Sequence, residues 1–398
     1  MQQISYAKTV YGQEEIDAVV KCLSESTQMG KYSRKFESKI ANLFNKKSCL
    51  FVNSGSSALY IGIEALDLPV GGEVITPALT FSTTIGCLAK NNLVPVFIDV
   101  EPLTYCIDTS QIEEMITERT VAILAPNLMG NLCNWPRIRE IANEYNLLVI
   151  EDSADTLGAK IRQKSTGHYS DISITSFYGS HIISCAGNGG MLMTNNKIVY
   201  EKSKVLRSWG RMSSLIKNSE NISERLNIKL MGCEYDKKFV FSELGYNFEP
   251  SEIGASFGLE QLKKFHKFSK KRLVNFNYHK KFFNKYKSFF ISPMINKDIQ
   301  TNFLAYPLII KENKIFKRKD LQIYLEENNI QTRPIFSGNI LRHPAFKYLI
   351  NYKNKIKNFK NSDYIMRNGI LIGCHQGLDL KNLDYIHGKV TKFIKSYN

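Results

Sequence analysis

The chain holds no run of about eighteen or more apolar residues, which is what a membrane-spanning helix requires. Its opening stretch, MQQISYAKTVYGQEEIDAVV, has no basic segment followed by an apolar core. A soluble, cytoplasmic protein with no membrane partner is therefore expected. Cysteine is scattered over positions Cys22, Cys49, Cys87, Cys106, Cys133, Cys185, Cys233 and Cys374, with no CxxC pair. Disulfide frameworks and zinc knuckles need closely spaced sulfurs, so neither is suggested. Most of these thiols are expected to be small buried hydrophobes. A metal or iron–sulfur centre, which needs several sulfurs converging, is not expected.

Acidic residues are the minority, 37 against 53 Lys and Arg, leaving a formal charge of +16. Such a surplus could attract nucleic acid, an anionic membrane or a phosphorylated small molecule. The charge is diffuse, however, and much of it sits in FHKFSKKRLVNFNYHKKFFNKYKSFF and KYLINYKNKIKNFKNSDY. There Phe and Tyr recur at helical spacing among Lys and Asn, a pattern of solvated helix faces with aromatics turned to a core. No nucleic-acid partner is expected.

What the chain has is length and alternation. Its 398 residues, 43% hydrophobic, suffice for one large domain and a smaller one. Seven apolar runs, SCLFVNSG, GGEVITPAL, VPVFIDV, VAILAPN, LLVIED, ISITSFY and GGMLMTN, alternate with helical stretches such as SSALYIGIEALDL and NWPRIREIANEYN. That rhythm predicts an α/β domain with a mostly parallel sheet covered on both faces. Residues from about 200 to 265 are polar and irregular before a helix at EPSEIGASFGLEQLKKF, and beyond about 268 FLAYPLII, NIQTRPIF and NGILIG suggest a smaller α+β unit. The expected division is 1–265 and 266–398.

Ligands of such sheets bind beyond the carboxyl ends of the strands, which directs attention to the loops starting at Asn53, Pro77, Asn127, Glu151 and Tyr178. In NSGSSALYIGIEAL, Gly55, Ser56 and Ser57 stand at a strand-to-helix junction suited to a phosphate, though Ser there is also an ordinary cap. LLVIEDSADTLGA ends a buried run on Glu151 and Asp152, where a carboxylate is costly without a cationic partner such as a protonated pyridine nitrogen or a salt bridge. Phe81 follows another strand and could cover a flat ring, and Ser176 offers a further hydroxyl.

In this order, glycine-serine turn, aromatic, Glu-Asp after a strand, then Ser-Phe before a glycine cluster, the chain resembles the DegT-type nucleotide-sugar aminotransferases. VFIDVEPLTYCIDTSQIEEMI, LGYNFEPSEIGASFGLEQL and NGILIGCHQGL extend the resemblance over nearly the whole chain. It implies an aspartate aminotransferase-like, fold-type I pyridoxal phosphate protein with a seven-stranded sheet. It further implies that Gly55, Ser56 and Ser176 hold the phosphate, that Phe81 stacks on the pyridine and that Asp152 pairs with its nitrogen. Asn247, in LGYN, would reach the phosphate of a neighbouring subunit's cofactor, making a homodimer with shared active sites.

One residue breaks the pattern. Four positions after the Phe of the SF pair, those aminotransferases carry the lysine that tethers the cofactor, and here that position is His181. No lysine lies between Lys164 and Lys197, so a small misalignment cannot supply one. Imidazole forms no Schiff base, yet a neutral His can act as a base, a task worth roughly 10²–10⁴-fold.

The substitution resembles the branch of 4-keto-6-deoxy-sugar 3-dehydratases, and with it Asp155, Arg333 and Asn339 become candidate cofactor or substrate contacts. The iron–sulfur type of that branch carries clustered cysteines between its WGR and GYN segments, where this chain holds only Cys233. The resemblance thus favours the type using pyridoxamine phosphate and L-glutamate on a GDP-linked sugar, hexose or heptose. A nucleotide-sugar 4-aminotransferase and a catalytically degenerate binding subunit remain as alternatives. Between His181 and the GG pair, IISCAGN is one residue longer than the usual spacing.

Overall fold

A computed structural model describes residues 3–216, 218, 220–296, 298–351 and 359–397. The expected lysine-rich face of KYLINYKNKIKNFKNSDY lies partly outside these residues, at 352–358.

All seven apolar runs are strands of one sheet, in the order Ser48–Val52, Gly190–Thr194, Ile172–Ser176, Leu148–Asp152, Thr120–Pro126, Glu73–Pro77, Val94–Ile98. The strands from Ile172–Ser176 to Val94–Ile98 pair in parallel, whereas Gly190–Thr194 runs antiparallel to both its neighbours. Helices cover both faces, which is why these short strands read as continuous apolar runs rather than alternating ones. Leu50, Ile61, Leu124, Ile150 and Leu192 close one face, and Ile75, Ile98, Ile123, Val149 and Trp135 the other. An antiparallel return needs no crossover helix. The segment 177–189, between Ile172–Ser176 and Gly190–Thr194, is therefore free to fold as a loop at the strand ends.

Helix Glu252–Phe283 carries the chain out of this layer. Along it Phe265 and Phe268 still pack with Phe36 and Phe177 of the first unit, while Phe276 and Phe283 enter a second core. The expected division at 265 and 266 thus falls inside one continuous helix, near the point where its buried face changes partner. The second core covers an antiparallel sheet of Phe290–Ile291, Tyr306–Ile310 and Gly369–Ile372, with Leu321 and Leu325 from one helix and Leu383, Ile386 and Val390 from another. NIQTRPIF, expected as a strand, is instead extended chain with isolated bridges from Ile330 to Ile4 and from Arg333 to Leu371. Pro334 cannot donate to a ladder, and the left-handed Phe336 (φ 49°) turns the chain away. Among the described residues no helix is long and apolar enough to cross a membrane.

Candidate active site

A cleft of about 520 Å³ opens beyond the carboxyl ends of the parallel strands and is lined by both units. Its floor begins at helix Gly55–Ala65, whose first turn is capped by the Ser54 hydroxyl accepting from the Ser57 N–H. A Cβ on Gly55 would sit 2.7 Å from the Cβ of Ser176, so only glycine allows these strand ends to come together. Ser56 Oγ lies 3.0 Å from Thr83 Oγ1, and Ser176 Oγ accepts the Tyr178 N–H at 3.3 Å. Hydroxyls grouped at a helix N-terminus, with glycine letting an anion approach, form a phosphate cradle.

Above it, Phe81 at the start of helix Ser82–Lys90 is 53% exposed, held edge-on to Phe336 at 6.3 Å. It lines the cleft. Glu151 and Asp152 end their strand pointing to opposite sides. Glu151 is structural: it accepts from Ser153 Oγ at 2.6 Å, the Gly167 N–H at 2.8 Å and Asn127 Nδ2 at 3.2 Å. Asp152 lines the cleft, and among the described residues only the Ala154 N–H reaches its Oδ1, at 3.0 Å. Burial pushes its carboxyl up to about 6, and no cation among the described residues pulls it back. Such a carboxylate is incomplete without a cationic ligand.

His181 and Asp155 form the remaining wall. The imidazole Nε2 lies 3.9 Å from Asp155 Oδ1, with the two side chains 16% and 4% exposed. Asp155 Oδ2 accepts the Met129 N–H at 3.0 Å. Burial lowers His181 to about 4; a backbone group of Ser176 opposes this, yet no hydrogen bond of ordinary geometry reaches the buried Nδ1. Burial raises Asp155 to about 7, against the Met129 N–H, and the nearby Asp152 raises it further. The loop path itself is fixed by the main chain: the His181 N–H donates to Tyr178 O at 2.9 Å, and Arg272 Nη2 donates to His181 O at 3.3 Å. Among the described residues no lysine lines the cleft.

The structure brings Gly55, Ser56, Phe81, Asp152, Asp155, Ser176, His181 and Arg333 together around this one cleft. Arg333 sits with its guanidinium 4.9 Å over the Tyr6 ring and donates to Thr332 O at 2.6 Å. Asn339 does not join them: it is fully buried, donating to Asp363 Oδ1 at 2.8 Å and accepting the Leu341 N–H at 3.0 Å, so its amide is committed to holding a turn. Asn247 is exposed and outside its own chain's cleft. Within IISCAGN the chain makes a turn where Ala186 (φ 55°) and Gly187 (φ 111°) are left-handed and Ser184 Oγ accepts the Gly187 N–H at 2.9 Å. This keeps Ile182, Ile183 and Cys185 in the core beside Phe36.

Sequence reasoning missed Thr83, Tyr6, Met129 and Arg272. Thr83 follows Phe81 at a helix start and could have been read as a phosphate-side hydroxyl. Arg272 gave no signal, being one cation among many on a lysine-rich helix. The eight cysteines are free, with only Cys233 exposed, and among the described residues no group of three His, Cys, Asp or Glu could hold a metal ion.

A helix-end cradle, a half-exposed aromatic ring and a buried carboxylate lacking its cation fit a flat, phosphorylated, cationic ring. The architecture is that of the pyridoxal phosphate aminotransferase fold. The chain belongs to the DegT/DnrJ/EryC1/StrS aminotransferase family, whose model matches residues 10–391. It is 33% identical over 397 residues to the lipopolysaccharide biosynthesis protein RfbH of Salmonella typhimurium, covering 96% of this chain and 90% of that one. It is 30% identical over 370 residues to the GDP-4-keto-6-deoxy-D-mannose 3-dehydratase of Escherichia coli O55:H7, covering 91% and 92%. A solved GDP-4-keto-6-deoxymannose-3-dehydratase with PLP and glutamate trapped together superposes with a TM-score of 0.85 at 28% identity, covering 97% and 99%.

Proposed function

We propose that this chain is a 3-dehydratase acting on a nucleotide-linked 4-keto-6-deoxy sugar, recharged by L-glutamate. The cofactor is pyridoxal 5′-phosphate and its pyridoxamine form. When bound, it supplies an amine that condenses with the C4 ketone and a ring that accepts electrons. The protein's part is positional and electrostatic. Gly55, Ser56 and Ser176 hold the phosphate, Phe81 covers the ring, and the Asp152 carboxylate keeps the ring nitrogen protonated. His181 takes up a proton at Nε2, the nitrogen on the Asp155 side, and returns it to the departing C3 hydroxyl, which leaves as water. In sum, the keto sugar and glutamate give a 3-deoxy-4-keto sugar, 2-oxoglutarate and ammonia.

The observation that carries this reading is that the loop offers an imidazole to a cleft that, among the described residues, no lysine lines. A site that binds the cofactor but cannot tether it by an amine suits elimination better than delivery of nitrogen to the sugar. The similarity to a GDP-linked 3-dehydratase supports a GDP-linked sugar, and the similarity to a lipopolysaccharide biosynthesis protein supports a part in surface polysaccharide synthesis. Exposed Leu230, Met231, Phe239, Phe241 and Leu244, close in sequence to exposed Asn247, support a homodimer in which Asn247 completes the partner's phosphate site.

The test is mass spectrometry of the product formed from GDP-4-keto-6-deoxymannose with glutamate. A product one oxygen lighter at C3 is expected; a sugar that keeps C3–OH and gains an amine refutes the dehydratase, and an unchanged sugar refutes both enzymatic readings.

A further inference from the structure

The loop after Pro126 contains a strained residue that catalysis as described does not use. Met129, neither glycine nor asparagine, is held at φ 59° and is followed by Gly130 at φ 97°, where a Cβ would lie 2.3 Å from Asn302 O. Left-handed backbone at a side-chain-bearing residue persists only where its surroundings impose it. What this one achieves is to aim the Met129 N–H at Asp155 Oδ2. The carboxylate is thereby fixed with its other oxygen toward His181 Nε2. Among the described residues no hydrogen bond reaches Oδ1. Arg272, the nearest cation, spends its guanidinium on Gln376 Oε1 and on the carbonyls of Phe303, Leu304 and His181.

From this arrangement we infer that Asp155 is a positioning residue for His181 and not a cofactor contact: the two side chains hold protons as one unit, and the carboxylate keeps Nε2 basic and stabilises the imidazolium formed there. The inference deepens the dehydratase reading and rests on it for the identity of the base. A carboxylate facing an imidazole favours the charged ring, and the two groups then titrate in shared steps belonging to the pair. The charged groups around the pair are Asp152, whose negative charge raises Asp155, and Arg272, whose positive charge lowers both. The unit takes up its first proton near 7, where burial places Asp155. Below that pH Asp155 is a neutral acid able to donate to Nε2, and the base is blocked.

Histidine-labelled full-length protein, stripped of cofactor, gives a direct readout, with the His181 signal assigned by its loss in His181→Asn. In the wild type the His181 ring nitrogens should shift with a midpoint near 7. In Asp155→Asn that midpoint should disappear, leaving a ring that burial and the Arg272 charge hold below the ordinary imidazole range. Cofactor binding, followed by absorbance, should survive, while the acid limb of the turnover profile disappears and the maximum rate drops on the order of 10²-fold. An unchanged His181 midpoint in Asp155→Asn overturns the inference. Should Asp155→Asn fail to fold, the reciprocal measurement decides: the Asp155 carboxyl carbon must titrate differently in His181→Asn, and an unmoved midpoint overturns the pairing. Coupling found in a protein that does not remove the C3 oxygen would leave the pair standing and refute the dehydratase reading.

Discussion

At the scale of single residues, the site separates binding from chemistry. His181→Asn should leave cofactor affinity intact and lower dehydration roughly 10²–10⁴-fold, measured by release of 2-oxoglutarate. Asp152→Asn should weaken cofactor binding as well as turnover, and its effect on folding is revealed by pH. The carboxyl is raised to about 6 when folded, so it favours the folded state while protonated, and that contribution is lost as pH rises through about 6. Cofactor-free Asp152→Asn should therefore melt higher than the wild type at pH 8, with the gap narrowing as pH falls from about 6 toward 4, and lose most of the stabilisation that added cofactor gives the wild type. Gly55→Ala, by pressing a methyl against Ser176, should cost about 1–3 kcal/mol of stability by thermal or urea unfolding and weaken cofactor binding.

At the scale of elements, legibility followed burial. The seven strands were readable because parallel strands covered on both faces are uninterrupted apolar runs. Gly55, Asp152 and Ser176 were readable because they stand where those runs stop. Arg333 reaches the cleft on extended chain rather than on a strand, because Pro334 cannot join a ladder and the left-handed Phe336 turns the chain away. Asn339 was misjudged because an amide that caps a turn and one that meets a ligand look alike in sequence. Also illegible was the histidine pair joining helix Glu252–Phe283 to helix Leu380–Lys395, where His279 Nδ1 and His387 Nε2 are 3.0 Å apart. Burial holds His279 near 4 and His387 near 3, so both favour the folded state neutral. Their contribution is present above about 6.5 and fades as pH falls toward 4. His387→Phe, which can keep the stack on Phe282, should flatten that acid loss in a series of urea melts while costing about 1–3 kcal/mol at neutral pH for the partner left unpaired.

At the scale of the whole molecule, the helix Glu252–Phe283 belongs to both cores, and the two units should unfold in one calorimetric transition; two resolved transitions would show them to be independent. If Asn247 serves the partner's cofactor, mixing His181→Asn with Asn247→Asp chains should restore activity in about a quarter of the sites, because each mixed dimer regains one complete site. No restoration after mixing, with dimers confirmed by light scattering, would place each site within a single chain.

The loop that bears His181 is pinned through its N–H by Tyr178 and through its carbonyl by Arg272, groups that every amino acid other than proline presents alike. The scaffold is thus indifferent to what is written at that position. A single codon can exchange an amine for an imidazole there while Gly55, Phe81 and Asp152 stay as they are, and on the function proposed above that exchange turns a site for adding nitrogen into one for taking oxygen away.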